Sequence, residues 1–296
     1  MIHRVQLGRT GLEVTRIGMG GYPLGGVNLA RQWNPFTPEG RALAIRTVHA
    51  ALDSGINYVD TAPGYGAGNS ESIIGEALRG RRDTVVLATK VGWALSAAEV
   101  TASVDASLTR LETDVIDVIQ LHGGMFTPAD IEHILTGGPL EALCALRAQG
   151  KVRYLGFTTE EPWTGRPLIA SGQFDMMQVR YNLICQQAAE HALDDARKAN
   201  MGVAVMRPFT SGILQRIASY LAPEWQQAHD LYEVALKFVL SDSRVHVANL
   251  GMRWPEEVAR NVQLAASFVP PVDIASIPRL TAGIYRTEDE MAVTEE

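Results

Sequence analysis

Short apolar, β-branched runs alternate with longer stretches of helical period along almost the whole chain, and this alternation restricts the fold to strand–helix units around a parallel sheet. The runs fall at 16–20, 56–60, 84–89, 115–121, 152–157, 175–179, 203–206 and 245–250, and helical patterns lie at 38–54, 71–79, 97–111, 140–149, 165–171, 187–200, 226–241 and 255–266. Eight strand–helix units without a break predict an α/β fold, a closed (β/α)8 TIM barrel in preference to a doubly wound open sheet. Two further short runs, 5–7 and 13–15 around LGRTG, predict an N-terminal β-hairpin closing the barrel bottom. Local punctuation agrees: Ser96 with Glu99 makes a capping box, Pro38 and Pro255 suit first helical turns, and Gly55, Gly150 and Gly202 suit helix ends.

At about 150 residues per domain, the 296-residue length points to two domains, but β/α barrels run to roughly 250 residues as one unit. No repeat or Pro/Ser-rich linker divides the chain, so residues 1–296 read as a single domain. The surplus is assigned to the hairpin, the loop at 28–36 and an acidic tail from Thr287.

Composition narrows the partners. Twenty-six Lys+Arg against 33 Asp+Glu give a net charge of −7, which disfavours nucleic acid and anionic membrane surfaces and leaves small molecules as the expected ligands. The N-terminus lacks the apolar core of a signal peptide, and no run approaches the ~18 apolar residues of a membrane span. A cytoplasmic protein, monomer or homo-oligomer, is the expectation. Cys144 and Cys185 sit in apolar surroundings without metal-ligand spacing, so both read as buried structural thiols and no metal site is expected.

Active sites of such barrels lie at the C-terminal strand ends, and three consecutive strands end in titratable residues. Strand two ends at Asp60 and runs into TAPGYG, strand three ends TVVLATK at Lys90, and strand four ends DVIQLH at His122. Taken singly, Asp60 is a turn former or cap, His122 a satisfied core histidine, and Tyr65 a loop aromatic. Lys90 closes an otherwise apolar strand and needs a partner, which makes an Asp60–Lys90 structural ion pair the plainest alternative. Their occurrence together on adjacent strand ends favours a catalytic group.

These residues carry a resemblance. LGRTGLEVTRIGMGG, INYVDTAPGYGAGNSESIIGEAL, VVLATKVG, ASLTRLETDVIDVIQLH and GKVRYLGFTT resemble the aldo-keto reductases in this order and spacing, with matching segments from about residue 7 to 262. The resemblance implies an NAD(P)(H)-dependent oxidoreductase interconverting a carbonyl and its alcohol, with Asp60, Tyr65, Lys90 and His122 matching the family's tetrad. It also implies NADP(H) or NAD(H) laid across the barrel mouth, near Gly21 and Tyr22, with Gln178 on the carboxamide. The family's Ser-Asn pair is here Thr158 and Thr159, so that contact is expected to be rearranged, although Thr158 keeps a hydroxyl. Met206 stands near the place of a stacking aromatic. Arg207 follows, and the loop from Phe209 to Leu214 is expected to wrap the pyrophosphate with the backbone N–H groups of Ser211 and Gly212. In the last segment, with Gly251, Arg253 and Asn261, Glu257 stands where a phosphate-gripping arginine is common, which implies weakened NADP preference or dual use. Tyr22, Trp33, Trp93, Met125 and Phe126 are expected to wall the substrate.

The chemistry follows without the name. Carbonyl reduction needs a hydride for carbon and a proton for oxygen. Bringing tyrosine from its ordinary pKa of about 10 to ~7–8 takes roughly 3–4 kcal/mol, and a cation at about 4 Å supplies ~4 kcal/mol at an effective dielectric near 20. Lys90 would activate Tyr65 as general acid/base, Asp60 would hold Lys90, and His122 would orient the carbonyl oxygen. Two other readings remain: a slowly turning nicotinamide-binding regulatory subunit of the channel β-subunit type, and a lyase or isomerase using Lys90 as a Schiff base.

Overall fold

The computed structural model describes residues 2–26, 33–221, 223–228 and 230–266. The tail from Thr287 and residues 28–32 of the long first loop lie outside them. β1 (Arg4–Gln6) and β2 (Glu13–Thr15) pair antiparallel, Val5 opposite Val14, as the expected hairpin. Eight parallel strands follow: β3 (Ile17–Gly20), β4 (Tyr58–Asp60), β5 (Val86–Gly92), β6 (Ile116–His122), β7 (Val152–Thr159), β8 (Met176–Arg180), β9 (Gly202–Met206) and β10 (Val247–Gly251). They close into a barrel in sequence order, with β10 beside β3. The architecture is the (β/α)8 barrel that the alternation requires.

The interior of that barrel sets up the site. Side chains two apart on a strand share a face, and the lower inward layer is apolar: Tyr58, Val86, Ala88, Val118, Met176, Ala204 and Val247 pack with Leu7 and Val14 of the hairpin, which plugs the bottom. One further step of two toward the C-terminal ends turns this face polar, at Asp60, Lys90, Gln120, Gln178 and Asn249, all buried. The floor is hydrophobic; the ceiling below the mouth is a hydrogen-bonding layer.

Between the strands, several helices match their sequence signals. Ser96 and Glu99 form the capping box of helix Ala97–Leu111, and Pro38 and Pro255 start Pro38–Asp53 and Pro255–Ala266. Gly55 and Gly150 take positive φ at helix ends, but Gly202 does not, because Asn200 makes the left-handed turn (φ 49°) and Gly202 opens β9. The expected helix 187–200 is two, Gln187–His191 and Leu193–Lys198, parted at Ala192. The expected 226–241 divides into Pro223–Ala228 and Leu231–Ser241, the second capped by the Asp230 carboxylate. Helices Pro128–Thr136 and Ile213–Leu221 have no counterpart in the sequence reading. Cys144 and Cys185 are free and half-buried, not fully buried as expected. Among the described residues no helix is long and apolar enough to cross a membrane.

Candidate active site

Asp60, the last residue of β4, is the hub of the polar layer. Its Oδ2 accepts from Lys90 Nζ at 2.7 Å and from Asn249 Nδ2 at 2.9 Å, and its Oδ1 accepts from Gln120 Nε2 at 2.9 Å. β4, β5, β6 and β10 thereby converge on one carboxylate. Lys90 is 1% exposed and donates also to Thr61 O at 2.8 Å. A buried ion pair needs such additional hydrogen bonds to offset its desolvation. Burial pushes the Lys90 ammonium down, but the Asp60 charge, Tyr65 and their hydrogen bonds outweigh it and hold the ammonium above its ordinary value. A charged amine held by a carboxylate and a carbonyl is poorly disposed to form an imine, which weighs against the Schiff-base reading. Lys90 lies two residues short of the end of β5, which runs on to Gly92.

Tyr65 stands above this pair on the turn after β4. A Cβ on Gly25 would fall 2.6 Å from the Tyr65 carbonyl carbon, and Gly66, at φ +64°, faces the Gly25 oxygen. Close backbone contact between the loops after β3 and β4 therefore seats the tyrosine. Lys90 Nζ lies 4.7 Å from the Tyr65 ring centroid. Tyr22 meets the Tyr65 ring edge-on at 5.1 Å and His122 does so at 5.9 Å. Asp60, Tyr65, Lys90 and His122 are thus brought together.

The electrostatics differ from the sequence expectation at one point. Burial raises the Tyr65 phenol above its ordinary value; the Lys90 charge opposes this and the Asp60 charge adds to it. The cation estimate from sequence omitted the desolvation of a phenol in a barrel mouth, and desolvation prevails. His122 is pushed the other way, to about 4, by burial first and then by Lys90. At neutral pH its imidazole is uncharged, with one N–H donor and one acceptor.

The opposite half of the mouth is organised otherwise. Gln178 on β8 is buried, with Oε1 3.5 Å from Asn249 Nδ2. The Thr158 hydroxyl does not face the mouth: it donates to Gly123 O at 2.8 Å and accepts from Gly123 N at 3.0 Å. Thr159 donates to Gly124 O and Glu161 O, so the pair fastens β7 to the loop after His122. Met206 is half-buried at the end of β9, and Arg207 is exposed, its guanidinium on Glu160 at 2.6 Å. In the Phe209–Leu214 loop, Ser211 takes φ 53°. Gly212 N–H is not free for a ligand, because the 3-10 turn spends it on Phe209 O. Phe209 packs edge-on against Tyr232, and Leu214 N–H donates to the Thr210 hydroxyl.

At β10, Gly251 lies exposed at the rim and Asn261 is buried on the following helix. The Glu257 carboxylate accepts from the Arg253 backbone N–H at 2.6 Å, capping that helix, and Arg260 is held by Asp230 at 2.7 Å. Arg253 forms no ion pair among the described residues and its Nε is buried without a partner.

Of the expected substrate wall, Tyr22 (52% exposed) and Met125 (60%) stand at the mouth. Trp93 is half-buried, edge-on to Phe126 at 6.0 Å. Two residues belong elsewhere. Trp33, wholly buried, donates Nε1 to Pro23 O and packs on Trp254, and Phe126, 4% exposed, stacks edge-on over Phe157 in the core. Sequence reasoning missed Gln120, Asn249 and Glu160. The signal for the first two was present: an amide inside an otherwise apolar strand, on the inward face. Among the described residues no group of His, Cys, Asp or Glu could hold a metal.

Known proteins resemble the chain over this whole framework. The profile of the aldo/keto reductase family matches residues 16–282. Pyridoxal 4-dehydrogenase of Microbacterium luteolum is 30% identical, over 89% of this chain and 93% of its own length. The NADH-specific methylglyoxal reductase of Escherichia coli is 30% identical, over 71% and 68%. Among solved structures, the holo form of a Bacillus halodurans aldo-keto reductase superposes with a TM-score of 0.76 at 26% identity, covering 95% of this chain and 97% of that one. A Klebsiella pneumoniae aldo/keto reductase in complex with NADP and acetate shares the fold at a TM-score of 0.75 and 23% identity, with 95% of each chain covered. With the closed barrel, the tetrad at its mouth and a profile spanning most of its length, the chain belongs to the aldo/keto reductase family.

Proposed function

We propose that the protein is a nicotinamide-dependent oxidoreductase that reduces a small aldehyde, ketone or sugar carbonyl, with Tyr65 as the proton donor. One observation carries the reading: the Tyr65 phenol ring, the buried Lys90 amine 4.7 Å from its centroid and held by Asp60, and the His122 imidazole 5.9 Å away come together at the barrel mouth. NADP(H) or NAD(H), the cofactor named for relatives of this fold, supplies hydride to the carbonyl carbon when bound. The rim fits such a polyanion: among the described residues the Arg253 and Arg180 Nε atoms are buried without acceptors, and Gln215 has a buried, unpartnered amide. Gln178 would hold the carboxamide, and Arg253 with Ser211 the phosphates.

The residues then divide the remaining work. The neutral His122 ring donates a hydrogen bond to the substrate oxygen and turns it toward Tyr65. As charge grows on that oxygen the phenol delivers its proton, and the Lys90 cation stabilises the phenolate left behind. A phenol raised above its ordinary pKa keeps its proton at neutral pH, as the proton donor of a reduction must. Asp60 keeps Lys90 charged and in place. Tyr22, Trp93 and Met125 give the substrate an apolar, ring-lined wall. The test is coenzyme consumption, NADPH and NADH in parallel, across a panel of aldehydes, ketones and aldoses. Turnover with at least one carbonyl class is expected; none at all would overturn the reading.

A further inference from the structure

The chemistry above uses four side chains, yet two others touch the same carboxylate. We propose that Gln120 and Asn249 are positioning residues, an amide brace that fixes the Asp60 carboxylate plane and through it the place of the Lys90 ammonium. The proposal rests on the reductase reading for its kinetic consequence, but its geometry stands apart from it.

Each amide donates to a different carboxylate oxygen: Gln120 to Oδ1, and Asn249 to Oδ2, the oxygen that also receives Lys90. Lys90 alone restrains one oxygen and leaves the carboxylate free to turn; donors at both edges close that freedom. Neither amide is explained as packing. Gln120 Oε1 and Asn249 Oδ1 are buried with no partner among the described residues, whereas leucine or methionine would fill the same space without stranding an acceptor. Room for them is made on neighbouring strands. A Cβ on Gly20 of β3 would lie 3.2 Å from Asn249 Oδ1, and one on Gly156 of β7 would lie 3.1 Å from Gln120 Cγ. The titratable groups around Asp60 are Tyr58 below it on β4, Lys90 on β5, His122 on β6 and Tyr65 above. Gln120 and Asn249 are the two side-chain amides that donate to Asp60.

The test is Asn249→Leu and Asn249→Asp on the full chain, with Gln120→Met as the second site should either fail to fold. Misplacing Lys90 acts on the chemical step, so kcat should fall roughly tenfold to a hundredfold with KM and coenzyme Kd within about twofold. In Asn249→Asp the loss should lessen as pH is lowered, because a protonated carboxyl donates where a carboxylate repels; Asn249→Leu should show no such recovery. An unchanged kcat, or equal losses with the same pH dependence in both variants, overturns the brace. A readout independent of turnover is the side-chain amide NMR spectrum, in which Asp60→Asn should move the NH2 signals of Gln120 and Asn249. Signals that stay in place overturn the brace even in an active enzyme. Signals that move in a protein that reduces no carbonyl uphold it while the reductase reading falls.

Discussion

The two halves of the barrel mouth are built on opposite plans. On the side of β4, β5 and β6, side chains from different strands bond one another below the surface, and Asp60 alone accepts from β5, β6 and β10. Around β7 to β9 and beyond the end of β10, polar groups mostly bond the backbone or the charge beside them: Thr158 to Gly123, Glu257 to Arg253, Arg207 to Glu160. The first half is cross-braced by its own side chains. The second leaves arginine and amide atoms unpartnered among the described residues. On the function proposed above, chemistry is prepared in advance on one side and affinity is adjustable on the other.

Stability should show the contrast most strongly. Lys90→Met leaves the Asp60 carboxylate buried without its cation and should cost about 3–5 kcal/mol in denaturant unfolding. Glu160→Gln opens the Arg180 and Arg207 ion pairs, which are half-exposed, and should cost no more than about 1 kcal/mol. Equal losses would erase the distinction.

Next in size is the response to acid. An unfolded histidine binds its proton near pH 6.5, but folded His122 does so only at about 4. The unfolded state therefore holds more protons across that window, and stability should fall as pH drops from about 6.5 toward 4 and level off above it. His246, also lowered by burial, adds in the same direction. His122→Ala should remove its share, and kcat/KM of the wild type should show no inflection near 6.5. An NMR midpoint for His122 near 6.5 would contradict the neutral-imidazole role.

The smallest effect belongs to the rim. With Glu257 bonded to the Arg253 backbone and Arg253 free of ion pairs among the described residues, both coenzymes should be used, with KM values for NADPH and NADH within about a hundredfold of each other and Glu257→Gln shifting that ratio only a few-fold. A larger gap in favour of NADPH would remove the idea of dual use.

Much of the half around Asp60 was readable in the chain because its residues end strands, and strand order alone places strand ends side by side. Asp60, Lys90 and His122 needed only the alternation of apolar runs. Gln120 and Asn249 were readable in principle by the period of two but were masked by the apolar residues around them. The pKa of Tyr65 was not, since desolvation depends on how deeply the loops after β3 and β4 bury it. Trp33 and Phe126 were misplaced for a related reason: an aromatic in a mouth loop can point outward or into the core, and only Trp254 and Phe157 decide. Thr158 kept its hydroxyl, as read, but a hydroxyl bonds whatever lies nearest, here Gly123.

Single-turnover reduction by Tyr65→Phe, with coenzyme Kd measured on the same samples, bears most directly on the proposed chemistry. The hydride-transfer rate should drop by about 10²–10⁴ while coenzyme affinity stays within about twofold, because the phenol oxygen delivers the proton and phenylalanine keeps the ring contacts with Tyr22 and His122. A variant that reduces the same carbonyl within a few-fold of the wild-type rate would show that the proton comes from elsewhere.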